Sequence, residues 1–449
     1  MEKAIPELPA SLKNVAVFPE DNRYDKVRAN DYKVGHPKMV ILAETEEHVS
    51  EAINFAARMN QEQQIKFPLS IKSGGHGLSA TSVNDDGMIL DLSRLNQITI
   101  VDEEKGLVKI QAGALWGEVA QQLNPHHLAI SSGDHGDTGV GGLAVSGGMG
   151  ILLRSYGLTI DKVVGATIIT ADGKKHWVDH ENEPELFWGI RGGGGQFGVV
   201  TEFLFQADKA VPTISGFSVP IVVQTVDYSI KHLPAFIEAW HQWFDSSSTK
   251  LTSILLLNAG DDDTIVVQGR NFWYGDDSAQ SREVFEKANN LGKVLKENQQ
   301  SMEYSDFVKA QHTPLEGKNT AYGKNVLVAH ISETIAKEIQ NLLDKPFGYG
   351  VELRSLGGAV NQPTSSFNAW PYRQEEVMIA YWVNKDYAEE ANRLFQPFLE
   401  YGDGVYGAYS SDASTIETSH VWNSEAADRL RALNRRYDPE QLFTQNRRL

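Results

Sequence analysis

The sequence contains no cysteine. A chain without cysteine cannot form disulfides, thiolate nucleophiles, cysteine-ligated zinc sites or iron–sulfur clusters, although this absence does not identify the compartment. Long apolar runs are also missing: neither the N-terminus, MEKAIPELPASLKNVAVFPED, nor any later stretch has the apolar length of a signal core or a membrane span. We therefore expect an intracellular, soluble protein.

Positively charged residues are outnumbered by negatively charged ones. Lys and Arg number 41 against 59 Asp and Glu, which gives a formal net charge of -18 at pH 7. Such a chain repels a phosphate backbone, and no basic run or basic helix reverses this locally. We expect neither a nucleic-acid nor a membrane partner. An acidic surface does not reveal a self-complementary patch, and we expect a monomer.

The pattern of the chain changes once along its 449 residues, a length that favours two domains. From Pro37 to about Gln206, short β-rich runs alternate with helices, one of which carries Val49 and Ile53. After Pro212 come longer helices and half-buried strands such as TIVVQGRNFW, VLVAHIS, GVELRSL and EVMIAYWVN. The C-terminal segment EAADRLRALNRRYDPEQLFTQNRRL predicts an amphipathic helix and a tail that return to the first domain.

Three glycine-dense loops lie in the first domain, at residues 72–81, 132–150 and 191–203. Glycine permits positive φ and close approach of backbone N–H groups, so such loops can form anion-binding nests for a pyrophosphate. Each loop alone could be an ordinary tight turn. Three of them in one domain favour a phosphate-bearing or extended cofactor.

The third loop formally contains a dinucleotide fingerprint, G-x-G-x-x-G, at Gly193, Gly195 and Gly198. That fingerprint must follow a strand and open a helix. Here PELFWGIR before it predicts a helix, VVTEFLF after it predicts a strand, and no acidic residue follows about 20 positions on. The sequence therefore argues against a Rossmann nicotinamide site.

Several ordered segments resemble the FAD-linked oxidases of the vanillyl-alcohol oxidase or PCMH type, especially the berberine-bridge-enzyme-like and 6-hydroxy-D-nicotine oxidase-like branch. The resemblance runs from about Phe18 onward and rests on SGGHG, GMILDLSRLNQI, GALWGEV, GVGGLAVSGGMGILLRSYGLTIDKVVGATIITADG, PELFWGIRGGGGQFGVVTEF, LGGAVN and RYDPEQLF. It implies an α+β fold: an FAD-binding domain of two α/β subdomains, residues 1–207 and 402–449, and a substrate domain, residues 208–401, with an antiparallel sheet covered by helices.

The resemblance also implies that His76 bonds to the 8α-methyl of FAD. A neutral imidazole nitrogen is a competent nucleophile, and the flanking glycines permit close contact; the alternative is a structural histidine in a turn. Many relatives add a cysteine bond to flavin C6, at a position held here by His135. We therefore expect at most one covalent bond, with His135 either an acid/base group or a filler of the vacated space.

Further cofactor contacts follow from the same resemblance. They are Lys72, Ser73, Gly74, Gly75, His76, Gly77, Leu78, Ser79, Gly133, Asp134, His135, Thr138, Gly139, Gly142, Gly147, Gly150, Gly198, Val199, Val200 and Asn446. Asp134, His135 and Asp137 together could suggest a metal, but they match no recognisable site, and we expect none.

Candidate catalytic residues lie on the GVELRSLGGA strand, which by resemblance roofs the flavin. Period-two alternation places Glu352 and Arg354 on one face. Plant-type relatives carry a glutamate base where this chain has Arg354, so Glu352 is the substitute; a simple ion pair between the two is the alternative. Tyr372 stands where relatives often have a histidine, and it could instead be cavity wall. Tyr409 and Tyr322 are weaker candidates.

Other aromatic residues could belong either to the pocket or to the core. They are Trp273, Tyr274, Tyr381 and Trp382.

The expected activity is that of an FAD-dependent oxidase that transfers a hydride from a small alcohol, amine or secondary metabolite to flavin N5, with dioxygen reoxidising the flavin. Two alternatives stay open. The protein could cyclise or rearrange its substrate, as some relatives do, or it could be a catalytically silent flavoprotein or structural protein that kept the fold.

Overall fold

A computed structural model describes residues 7–63, 67–210, 213–309, 316–447 and 449 of the chain. Its strands are β1 (Ala16–Val17), β2 (Met39–Leu42), β3 (Leu69–Lys72), β4 (Met88–Asp91), β5 (Ile98–Asp102), β6 (Leu107–Gln111), β7 (Leu128–Ala129), β8 (Val163–Thr170), β9 (Lys175–Val178), β10 (Gly198–Gln206), β11 (Asp208–Lys209), β12 (Pro220–Ile230), β13 (Leu251–Ala259), β14 (Ile265–Tyr274), β15 (Lys293–Glu303), β16 (Ala321–Val328), β17 (Gly348–Ser355) and β18 (Val377–Asn384).

The described residues also form α-helices that lie between these strands in the sequence. They are α1 (Tyr24–Val27), α2 (Glu46–Gln63), α3 (Trp116–Leu123), α4 (Val140–Ser146), α5 (Leu153–Tyr156), α6 (Pro184–Ile190), α7 (Leu233–Asp245), α8 (Ala279–Ala288), α9 (Tyr304–Lys309), α10 (Glu333–Leu343), α11 (Ala388–Tyr401), α12 (Thr415–Thr418) and α13 (Ser424–Tyr437). None of the described helices is long and apolar enough to cross a membrane.

Two sheets share the N-terminal core. In the first, β2, β4 and β3 run parallel and β1 pairs antiparallel with β2. β2 and β3 lie on either side of β4, and α2 forms the crossover from β2 to β3, burying the predicted apolar positions Val49 and Ile53. The second sheet is antiparallel, in the order β5-β6-β10-β8-β9. The predicted helix PELFWGIR and the strand after it are confirmed as α6 and β10.

The third sheet has seven antiparallel strands in the order β15-β12-β14-β13-β17-β18-β16. Helices α7, α10 and α11 pack on one of its faces. Val351 and Leu353 join the buried core on that face, whereas Glu352 and Arg354 reach the opposite side, as the period-two pattern predicts. The segment VLVAHIS is shorter as a strand than predicted: β16 ends at Val328, because Ser332 already caps the N-terminus of α10.

The C-terminal segment returns to the N-terminal core, as predicted. Leu430 and Leu433 of α13 are buried in that core, and Asn434 donates a hydrogen bond to Gln196 over 2.9 Å. Helices and sheets of both parallel and antiparallel type confirm the α+β class. The domain limits at 207/208 and 401/402 stay a prediction, and the seven-stranded sheet lies between them.

Candidate active site

A cavity of about 390 Å³ lies between the glycine loops and the seven-stranded sheet. One side, which we call the loop wall, consists of the lining residues of the three glycine loops, within 73–79, 133–149 and 192–200. The other side, the roof, consists of Trp382 of β18 with Tyr406 and Tyr409, and of the side chains packed behind them. The fold therefore brings all three loops predicted for one cofactor to one cavity.

The loop wall is built from backbone. A Cβ atom at Gly74 would lie 2.2 Å from the backbone nitrogen of Gly139, so the first two loops touch main chain to main chain. At Gly77, Gly142 and Gly194, by contrast, an added Cβ would meet nothing within 4 Å. The loops thus pack tightly against each other and leave their backbone open toward the cavity. This cradle fits an extended cofactor with a pyrophosphate, such as FAD.

Except for three residues, every predicted cofactor contact lines the cavity. Lys72 instead donates to the carbonyl oxygen of Val27 over 3.0 Å and lies 3.4 Å from Asp91. Gly147 packs on the ring of Tyr406, and a Cβ at Gly150 would lie 1.8 Å from the carbonyl oxygen of Ser132. These three residues therefore contact protein groups outside the described lining of the cavity.

His76 lines the cavity and is oriented by a neighbouring loop. Its Nε2 lies 3.0 Å from Oδ2 of Asp137. The ring of His135, which also lines the cavity, lies nearly parallel to it, with ring centroids 6.3 Å apart. Both histidines therefore line the same cavity as the glycine loops, and their contact with a cofactor stays a prediction.

Arg354 and Glu352 stand behind the residues that line the cavity. The Arg354 guanidinium donates to Oδ2 of Asp134 over 2.6 Å and to Oε1 of Glu352 over 3.2 Å. The ion pair between Glu352 and Arg354, raised from the sequence as the alternative to a catalytic role of Glu352, is thus present, and it extends to Asp134 of the loop wall. Burial lowers the pKa of Arg354, but the charges of Asp134 and Glu352 more than offset this and hold the pKa well above its usual value.

Tyr409 connects this charged group to the cavity, because its hydroxyl donates to Oε2 of Glu352 over 3.1 Å. Burial raises the pKa of Tyr409 well above its ordinary value, and the negative charge of Glu352 raises it further. Burial likewise raises the pKa of Tyr406 to about 12, and its hydroxyl accepts a hydrogen bond from the Gly148 amide over 2.9 Å. Both phenols are neutral near pH 7.

Asn325 of β16 holds the two tyrosines in place. Its buried side-chain amide donates to the carbonyl oxygens of Tyr406 and Tyr409 over 3.0 and 2.9 Å, and its oxygen accepts from the Tyr406 amide over 2.8 Å. Three hydrogen bonds from one strand residue therefore set the position of the 3₁₀ turn Gly407–Tyr409 relative to the sheet.

Tyr372 lies outside the described lining of the cavity. Its hydroxyl donates to the carbonyl oxygen of His420 over 2.5 Å, and its ring packs on Gly404 and Trp370. Tyr322 also points elsewhere, with its hydroxyl 2.9 Å from the side-chain oxygen of Asn392. These two tyrosines are placed as structural contacts.

The remaining aromatic candidates divide by strand alternation. Trp382 lines the cavity and packs edge-on against Tyr409, with centroids 5.1 Å apart. Its neighbour Tyr381 points into the helix-covered core, as does Trp273. Tyr274 lies in the N-terminal core, where its hydroxyl accepts a hydrogen bond from Tyr156 over 2.5 Å.

Several lining residues carry no signal in the sequence. Tyr32, whose pKa burial raises to about 12, lines the cavity together with Tyr406, Trp422 and Arg447. The Arg447 guanidinium donates to the carbonyl oxygens of Gly407 and Ser410 over 3.2 and 3.3 Å. These residues come from both ends of the chain and belong to no local motif. Within the described ranges, no group of three His, Asp or Glu side chains is placed to hold a metal ion.

Comparison with known proteins identifies the cofactor domain. Residues 37–179 match the family described as an FAD binding domain. The (R)-6-hydroxynicotine oxidase of Paenarthrobacter nicotinovorans is 26% identical over 466 residues, which cover 98% of this chain and 97% of that protein. The family resemblance inferred from the sequence is thereby confirmed.

Solved structures show the same fold. The 6-hydroxy-D-nicotine oxidase of Arthrobacter nicotinovorans superimposes with a TM-score of 0.83 at 22% identity and 99% coverage of both chains. A glucooligosaccharide oxidase of Acremonium strictum, described with a 6-S-cysteinyl, 8α-N1-histidyl FAD, gives a TM-score of 0.78 at 20% identity and 95% coverage of both chains. These structures confirm the PCMH-type fold. The match to the FAD binding domain and the hydroxynicotine oxidase relative support the assignment of this chain as an FAD-dependent oxidoreductase.

Proposed function

We propose that this FAD-dependent oxidoreductase is an oxidase that carries FAD on a single covalent bond to His76 and oxidises a small organic molecule under the roof. One observation carries the proposal: the cavity has a backbone cradle with His76 on one side and a tyrosine coupled to a buried carboxylate on the other. In this proposal residues 1–207 and 402–449 hold the cofactor, and residues 208–401 supply Trp382 of the roof together with Glu352 and Arg354 behind it, while Tyr406 and Tyr409 come from the C-terminal segment.

The residues of the loop wall would hold the cofactor, with Asn446 beside the third loop, where its amide donates to the Gly195 carbonyl oxygen over 2.5 Å. The chemistry supplied by a bound FAD would be acceptance of the substrate hydride at N5 and transfer of two electrons to dioxygen. The chain has no cysteine, so of the two linkages named for the glucooligosaccharide oxidase only the histidyl one can form.

Tyr409 and Glu352 would together remove the substrate proton. Tyr409 faces the cavity, whereas Glu352 lies behind it and accepts the phenol hydrogen bond. Because the raised pKa of Tyr409 disfavours a free phenolate, Tyr409 would take the O–H or N–H proton of the substrate while passing its own proton to Glu352. The Arg354 guanidinium, 3.1 Å from Oε1 of Glu352, would hold this carboxylate in place to accept the proton.

The arrangement supports a substrate with a removable proton next to the carbon that loses the hydride. That description covers alcohols, the anomeric hydroxyl of sugars, and amines. Two of the similar proteins are named for substrates of this kind: one is a hydroxynicotine oxidase and the other a glucooligosaccharide oxidase. We propose this common chemistry, a C–H bond beside an O–H or N–H group, as the substrate class.

The test combines anaerobic reduction with reoxidation. The flavin-loaded protein is mixed without oxygen with a panel of alcohols, amines and oligosaccharides while the yellow absorbance is followed; air is then admitted and hydrogen peroxide is measured. The proposal predicts bleaching by at least one compound and stoichiometric peroxide on reoxidation. Bleaching without peroxide would contradict the oxidase assignment, and a rearranged product without bleaching would favour a cyclase.

A silent flavoprotein is separated from these outcomes by a chemical reductant. If protein reduced with dithionite fails to react with dioxygen, and no panel compound bleaches it, the catalytic proposal is wrong.

A further inference from the structure

We infer that Asp137 is the positioning residue that prepares His76 for its bond to the flavin. The inference rests on the covalent attachment proposed above and adds the group that makes this histidine reactive. It also gives different roles to the two carboxylates that flank His135: Asp134 is bound to Arg354, and Asp137 lies against His76.

The geometry places Asp137 at the nitrogen remote from bond formation. Oδ2 of Asp137 lies 3.0 Å from Nε2 of His76. His76 belongs to the described lining of the cavity and Asp137 does not, so the carboxylate approaches the ring from the protein side. A neutral imidazole carries one proton. If that proton is on Nε2 and is donated to Asp137, the lone pair lies on Nδ1, the nitrogen left for the flavin.

The backbone sets the position of this carboxylate. Gly74 and Gly139 touch main chain to main chain, and the Ser73 hydroxyl donates to the Ala112 carbonyl oxygen over 2.6 Å. The carbonyl oxygen of Thr138, next to Asp137, accepts from the Trp116 amide over 3.0 Å. Both loops are therefore held by contacts that do not involve the His76–Asp137 pair.

These contacts argue against a purely structural role for the pair. Its side chains are 18% and 20% exposed, so water screens part of the attraction between them. Loops that are already joined by their backbones gain little from it. The contact with Asp137 instead favours the tautomer of His76 that carries its proton on Nε2.

The covalent attachment is an oxidation in which His76 replaces one hydrogen of the flavin 8α-methyl group. A bond forms between Nδ1 of His76 and the 8α carbon, one C–H bond of that methyl group breaks, and the Nε2 proton of His76 passes to Asp137. The two hydrogens and two electrons removed leave with dioxygen as hydrogen peroxide. Asp137 contributes by stabilising the positive charge that develops on the ring and by taking its proton.

The experiment measures the rate of covalent attachment in the full-length protein. Apo-protein is mixed with FAD in air, samples are precipitated with acid at intervals, and the flavin that stays with the polypeptide is measured. We expect Asp137→Ala to attach roughly a hundredfold more slowly than wild type. Asp137→Asn, which can still accept the Nε2 hydrogen bond without the charge, should be slower by roughly tenfold.

Two reference variants complete the design. His76→Ala should bind FAD that acid releases entirely. Asp85→Asn removes the carboxylate from an exposed pair with His36, whose atoms lie 3.1 Å apart, and should attach FAD at the wild-type rate. Non-covalent binding of FAD, measured by quenching of its fluorescence, should be retained by both Asp137 variants.

The outcomes separate the two claims. If wild-type protein binds FAD but releases all of it in acid, the proposed covalent attachment is wrong. If wild type attaches FAD and the Asp137 variants do so equally fast, the role of Asp137 is overturned. Should Asp137→Ala fail to fold, the isosteric Asp137→Asn decides alone, and a wild-type rate for it overturns the inference.

Discussion

The two sides of the cavity differ in which protein atoms form them. The loop wall is made of main chain, and its shape follows from glycines whose side chains would either collide, as at Gly74, or project into open space, as at Gly142. The roof is made of side chains that meet from distant parts of the sequence, such as Glu352 and Tyr409, which are 57 residues apart. A cofactor shared by many relatives needs a constant shape, whereas a substrate site can change one side chain at a time.

This contrast leads to different expectations for mutation. A change in the roof should leave the cofactor bound and alter charge balance or proton transfer. A change in the loop wall should alter cofactor binding with little effect on the network around Arg354. The following four predictions test this division, from the largest expected effect to the smallest.

Arg354→Leu should destabilise the protein by about 3–5 kcal/mol, because it leaves the carboxylates of Asp134 and Glu352 without their buried cation. The measurement is the urea unfolding midpoint near pH 7. Arg270→Leu, an exposed arginine of the same sheet, is the matched control and should change stability by less than about 0.5 kcal/mol. Equal effects of the two substitutions would contradict the account of the roof.

Tyr409→Phe should lower kcat by about a hundredfold or more while leaving the amount of bound flavin unchanged, because only the hydroxyl that contacts Glu352 is lost. Steady-state peroxide production on an accepted substrate provides the measurement. Tyr406→Phe is the comparison, since that hydroxyl accepts from the Gly148 amide instead of contacting Glu352. A larger loss of kcat in Tyr406→Phe would move the proton-transfer role away from Tyr409.

Alkaline pH should weaken the fold through the buried phenols. The pKa of Tyr406 is raised from 10.0 to about 12 in the folded state, so the stability that its neutral form provides is complete below pH 10 and is lost as pH rises toward 12. Between these values it contributes a fall of about 1.4 kcal/mol per pH unit. Urea midpoints across this range should fall less steeply in Tyr406→Phe, and an unchanged slope would contradict the assignment.

Gly142→Ala should have the smallest effect on folding and an opposite effect on the cofactor. Gly142 lies inside α4, so alanine should stabilise the apo-protein by up to about 1 kcal/mol. The new methyl group projects into the cavity, where nothing lies within 4 Å, and should weaken FAD binding. Thermal melts with and without FAD measure both effects. Unchanged FAD affinity would show that this part of the loop wall does not touch the cofactor.

The same contrast explains what could be predicted from the sequence. The glycine loops form local motifs, and the amino-acid pattern correctly predicts that they serve one site, whereas the role of His76 stays a prediction from the family resemblance. Alternation on β17 correctly places Glu352 and Arg354 on one face. The partners of Arg354 and Glu352 could not be derived, because the contacts with Asp134 and Tyr409 depend on how the loop wall and the C-terminal segment meet the sheet.

Tyr372 and Tyr406 show the limit of motif position as a guide. Tyr372 occupies the place of a histidine in relatives, yet its hydroxyl bonds to the backbone of His420 outside the described cavity lining. Tyr406 has no motif and lines the cavity, because Asn325 draws its loop against β16. Side-chain direction in such loops is set by long-range hydrogen bonds that no local pattern reports.

The most direct test of the central claim, that the loop wall carries FAD on His76, is the mass of the tryptic peptide Ser73–Arg94 from acid-denatured protein. The account predicts that the yellow colour stays with the precipitated polypeptide and that this peptide is heavier by FAD less two hydrogens, with fragmentation placing the addition on His76. Complete release of the flavin, or an unmodified peptide from yellow protein, would contradict it.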